Sequence, residues 1–142
     1  MINKLEENLR QAADALKGQL NGLSDTAKEK TNAVIEDWLK VFPKLREAGL
    51  EITSFGMELS LSPALEVELK GKRSDFTDEK IEKILADNAG DRTFASVVNT
   101  VKSVNGFYAK AGDLPSKPLL VKLNIGLPPR VQVFIGAPKI FN

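Results

Sequence analysis

Apolar residues recur along this chain with two periods, 3.6 and 2, and the switches between them mark its elements. Ile2, Leu5, Leu9, Ala12, Leu16 and Leu23 follow three-four spacing, with Glu6, Glu7, Arg10, Asp14 and Lys17 on the other face, which predicts an amphipathic helix with a narrow apolar seam. Gly18 and Gly22 weaken its end. A second helix restarts within LSDTAKEK, where Ser24 or Asp25 supplies the N-cap, and it lines up Ala27, Thr31, Val34, Trp38, Val41 and Leu45. Pro43 is expected to kink this helix or open a fresh turn, and Gly49 to end it in the left-handed conformation.

The period then drops to two. Phe55, Met57, Leu59 and Leu61 point one way, and Ser54, Gly56, Glu58 and Ser60 the other. Beyond Pro63, Leu65, Val67 and Leu69 resume the apolar side. A hairpin turning about Pro63 is predicted to pair Leu61 with Leu65, Leu59 with Val67 and Met57 with Leu69, which keeps every apolar residue on one face.

A short helix follows, with Thr77 as N-cap, Asp78 and Glu79 in the first turn, and Phe76 and Ile81 placed as a hydrophobic staple. Gly90 stops it; the stretch DNAGD lacks the ligand spacing of a calcium loop. The next segment is rich in valine, a strand former. Yet Phe94, Val97, Val98, Val101, Val104 and Tyr108 recur at helical spacing over more turns than a strand would need, so a helix is predicted. A last hairpin sets Val121, Leu123, Ile125 and Leu127 inward, turns about PPR, and returns with Val131, Val133 and Ile135.

The chain therefore reads as helix, helix, hairpin, twice over. At an offset of 66 every inward residue of the first hairpin meets an apolar residue of the second, from Phe55 with Val121 to Leu69 with Ile135, and Pro63 meets Pro129. The expected fold is α+β in a single domain over residues 1–142, in the order ααββααββ, with a four-stranded antiparallel sheet and all helices on one face. The repeated unit would span residues 24–72 and 90–138; two amphipathic hairpins with proline turns also look alike without any duplication.

Outward positions carry the differences. The predicted register sets Glu58 opposite Glu68, with Glu66 beside them, a trio of carboxylates suited to a cationic partner. At the equivalent positions of the second hairpin stand Asn124 and Phe134, with Lys122, Arg130 and Gln132 nearby. Counting Lys and Arg against Asp and Glu, residues 51–71 hold one against four, and residues 93–142 six against one. This asymmetry singles out Glu58, Glu66, Glu68, Lys122, Arg130 and Phe134 as a candidate partner-binding set. Alternation leaves Phe134 on the exposed side, to be covered by the C-terminal PKIFN or by a partner.

Composition narrows the chemistry. With 142 residues, 42% hydrophobic and 27% charged, the chain is long enough to bury roughly two-thirds of its unfolded surface. It has neither cysteine nor histidine, so disulfides, thiolate or imidazole metal sites and Ser-His-Asp catalysis are excluded. No phosphate-binding loop or dinucleotide fingerprint is present, and no cofactor is expected. A net charge of +1 and one outward aromatic ring do not suit nucleic acid. No leader-like or membrane-spanning run appears, which points to the cytoplasm and to membrane contact that is at most peripheral.

The expectation is a small, soluble, non-enzymatic protein-interaction or assembly module that associates through its sheet face, with a second copy, acidic hairpin to basic hairpin, as one candidate partner. The alternative is an apolar-ligand or lipid-surface binder, using a cavity between helices and sheet or the N-terminal helices. In that reading Trp38 and Phe42 are interfacial anchors. A carboxylate enzyme built on Glu66 and Glu68 is the weakest of the three, because adjacent outward strand positions form no pocket.

Overall fold

Helices and strands alternate in pairs in the computed structural model, which describes residues 4–18, 20–58, 63–111, 118–126 and 129–136. The order is α1 (Lys4–Gly18), α2 (Asp25–Ala48), β1 (Glu51–Glu58), β2 (Ala64–Gly71), α3 (Asp78–Asp87), α4 (Arg92–Ala111), β3 (Leu119–Ile125) and β4 (Arg130–Ile135). Short 3-10 turns occupy Leu20–Gly22 and Arg73–Phe76. Among the described residues the fold is α+β, with one four-stranded antiparallel sheet in the order β1-β2-β3-β4.

Local chemistry sets the helix ends. Ser24 Oγ accepts the Ala27 N–H at 3.2 Å, and Gly49, at φ 112°, returns its own N–H to the last turn of α2. The helix does not stop at Pro43. Trp38, Leu39, Val41, Phe42 and Leu45 are buried on both sides of it, and their burial exceeds the roughly 3 kcal/mol that an internal proline costs. Thr77 caps α3 through the Lys80 N–H, while Phe76 and Ile81 are buried as the staple requires. Gly90, with positive φ, lies in the turn after α3.

The valine-rich segment is α4, as its spacing predicts. Phe94, Val97, Val98 and Val101 are buried and Val104 is half-buried; the Tyr108 side chain lies outside the described set. Asp91 anchors its start. One carboxylate oxygen accepts the Phe94 N–H at 3.0 Å, and the other takes the Lys44 ammonium of α2 at 2.5 Å. Burial pushes this carboxyl up, but Lys44 and the Phe94 and Thr93 amides outweigh it, so its pKa lies below the ordinary aspartate value.

All four helices contribute to a core on one side of the sheet. Ion pairs Glu6–Arg46 and Lys17–Glu36 join α1 to α2 with residue numbers running in opposite senses, so the two helices are antiparallel. α1 lies against β1 and β2, α4 against β4, and α3 against α4. Leu65, Val67 and Leu69 of β2 and Leu119, Val121, Leu123 and Ile125 of β3 are buried beneath them. Trp38 and Phe42 belong to the same core at 3% exposure each, so they are packing residues and not surface anchors for lipid.

The registers correct the predicted pairing. Glu58 stands opposite Ala64, Met57 opposite Leu65 and Phe55 opposite Val67, four residues away from the expected alignment. The second hairpin is displaced in the same sense: Leu123 stands opposite Val131, where Leu127 was expected. A slip of four preserves which face each side chain occupies, so alternation alone cannot exclude it. Leu59, Leu61 and Leu127, on which the predicted pairs rested, lie outside the described residues. The two hairpins nonetheless share one register at the offset of 66, up to a bulge at Thr53 of β1. The helices ahead of them pack differently, α1 on the sheet and α3 on α4.

Candidate functional site: the outer face of the sheet

With the helices on one side, the outward residues of four strands form the opposite surface, in rows across the sheet. One row runs Ser54, Glu68, Lys122, Gln132; the next Gly56, Glu66, Asn124, Arg130; a third Glu51, Lys70, Leu120, Phe134. The acidic strand β2 is therefore the immediate neighbour of the basic strand β3. Glu68 stands opposite Lys122, and Glu66 stands opposite Asn124, whose amide N–H is 3.4 Å from its carboxylate. The acidic and basic strands thus lie side by side within one sheet.

The carboxylate trio does not form. Glu58 stands at the far end of the ladder opposite Ala64, and Glu68 faces Ser54, because the four-residue slip carries the two glutamates apart. A direct like-charge pair, costly on a strand surface, is thereby avoided. Glu68 is held instead by the Thr53 hydroxyl, which donates to its carboxylate at 2.8 Å from the bulge. Among the described residues no group of three acidic side chains is placed to hold a metal ion.

Three of the predicted residues do converge. Glu66, Lys122 and Arg130 line a recess of about 270 Å³ together with Leu123, Asn124 and Gln132. Arg130 is exposed and Lys122 half-buried, so the rim offers two cations, one carboxylate and two side-chain amides to a partner. Phe134 is half-buried rather than exposed, and Leu120, its neighbour across the ladder, is 8% exposed although both lie on the outer face. The C-terminal PKIFN lies outside the described residues.

A second concavity, of about 450 Å³, lies between α1 and α2. Leu9, Leu39, Phe42 and Pro43 line it together with Glu6, Glu7, Arg10 and Arg46, of which Glu6 and Arg46 are ion-paired. Sequence reasoning missed this feature because it depends on how two helices cross. It also missed Thr53, since nothing in a period-two pattern marks a bulge.

Comparison of the chain with protein-family models, curated proteins and solved structures finds no match. Among the described residues no helix is long and apolar enough to cross a membrane.

Proposed function

We propose that this protein is a small non-enzymatic interaction module whose working surface is the outer face of the sheet. One observation carries the reading: every helix packs on the opposite side, leaving a surface on which Glu66, Lys122, Asn124, Arg130 and Gln132 gather polar groups of both signs around one recess. Such a surface suits a folded protein partner, recognised by hydrogen bonds and charge at a site that is only moderately apolar. A photo-reactive residue placed at Gln132 should give one discrete cross-linked species in extracts of the source cell. The same probe at Glu29, exposed on α2, should give none. The species should vanish in the Glu66→Lys/Arg130→Glu double variant; equal cross-linking from both probe positions contradicts the reading.

The concavity between α1 and α2 favours a second reading, binding of an apolar ligand. Leu9, Leu39, Phe42 and Pro43 supply apolar lining, and the charges beside them balance, Glu6 and Glu7 against Arg10 and Arg46. Native mass spectrometry of protein taken from its source should then show a bound species that is lost in Leu39→Trp. A ligand-free spectrum speaks against it.

A further inference from the structure

The two edges of the sheet are built differently. β1 is a guarded edge: a register bulge lies at Thr53, Gly56 interrupts the strand, and exposed Glu51 and Glu58 stand at its ends. β4 has neither bulge nor internal glycine. Its sequence, RVQVFI, holds no glycine, no proline and one charge, at its first residue.

Backbone parity shows what β4 presents. Gly136 N–H donates to the Pro118 carbonyl at 2.8 Å, so residue 136 is in a hydrogen-bonded position against β3. Successive residues of an antiparallel strand alternate between the two sides. Phe134, Gln132 and Arg130 therefore turn their backbone groups to β3, while Val131, Val133 and Ile135 turn theirs to the open edge. Among the described residues nothing pairs with that edge, and these three side chains are half-buried against the core.

We propose that a second copy of this chain adds to β4, antiparallel, about a two-fold axis through Val133, giving a closed dimer with one continuous sheet. In this register Val133 meets the second copy's Val133 and Val131 meets its Ile135. All three open N–H and C=O pairs are satisfied on both copies, and all the meeting inward side chains are β-branched. Arg130 falls opposite Gly136, so no like charges meet. Moving the axis one residue toward Arg130 sets Ile135 against Pro129, which has no N–H; moving it the other way takes Val131 past the end of the strand. The β1 edge of another copy is a poorer occupant, because its bulge interrupts the ladder and such pairing leaves open ends that propagate into filaments. The proposal does not rest on the outer-face reading: that face stays open and doubles, with Lys122 and Arg130 of both copies toward its centre.

The chain has no cysteine, so single-cysteine variants test the register cleanly. Val133→Cys brings two Cα atoms to about 5.5 Å across the axis, within disulfide range. Ile135→Cys leaves its two copies about 14 Å apart, and Met57→Cys on β1 reports random collision. Under mild oxidation Val133→Cys should cross-link at least tenfold faster than either control. The wild-type chain should sediment as a concentration-dependent dimer, and Val133→Pro, which removes an edge-facing N–H, should shift it to monomer while its circular dichroism stays that of a folded chain. Equal cross-linking of all three variants overturns the proposal. So does a wild-type chain that stays monomeric at every concentration, grows beyond the dimer, or takes up an extended peptide on β4 in place of its own copy.

Discussion

Met57 faces Leu65 in the first hairpin and Leu123 faces Val131 in the second; Phe55 faces Val67, and Val121 faces Val133. The two ladders are set alike, yet the residues they share are not equally buried. Val67 is 1% exposed in a central strand, while Val133, its equivalent, is half-buried at an edge. On the outer side the likeness ends, with Glu66 and Glu68 in one hairpin and Gln132 and Phe134 in the other. An inside pattern constrains apolar character and parity, whereas neighbours and edges decide everything else.

That contrast can be pressed first where it is largest. Val67→Ala should cost about 2 kcal/mol or more, for two buried methyl groups and the cavity they leave. Val133→Ala, measured where the chain is dilute, should cost less than half as much. Equal losses in chemical denaturation would show that the two positions are equally buried.

The join between the halves comes next. Asp91 starts α4 and holds Lys44 of α2, and Asp91→Ala should cost about 1 kcal/mol at neutral pH. Its folded pKa is depressed, so this contribution is present above the unfolded aspartate pKa and is lost as pH falls through the lower folded value. The difference between wild type and Asp91→Ala should therefore shrink in acid; a constant difference from pH 7 to pH 2 would remove the carboxylate from the account.

The smallest effect is on the outer face. A double-mutant cycle of Glu68→Gln and Lys122→Gln should return a coupling of about 0.2–1 kcal/mol that fades with salt, as expected for neighbours across one ladder. A coupling of zero at low salt would mean that the acidic and basic strands do not answer one another.

Much of the architecture was legible in the residues. Ser24, Gly49 and Thr77 act as the caps their types and positions predict, and the spacing of Phe94, Val97, Val98 and Val101 outweighed the strand preference of valine in α4. α2 continues through Pro43. Trp38 and Phe42 suited the lipid-surface alternative only while their helix face had no partner; in the fold they are buried in the core. The registers were misjudged because a slip of four residues leaves every alternating pattern intact, and this separated Glu58 from Glu68. Glu66, Lys122 and Arg130 were found together because they lie on adjacent outward rows once β2 and β3 are neighbours. The recess they share could not be read without that strand order.

The difference between a guarded β1 and an open β4 is most directly tested by amide hydrogen exchange, read residue by residue on dilute and on concentrated protein. The edge-facing amides of Val131, Val133 and Ile135 should exchange freely in dilute solution and become protected as concentration rises, while no amide of β1 changes. Fast exchange of those three amides at every concentration, or protection appearing along β1 instead, would contradict it.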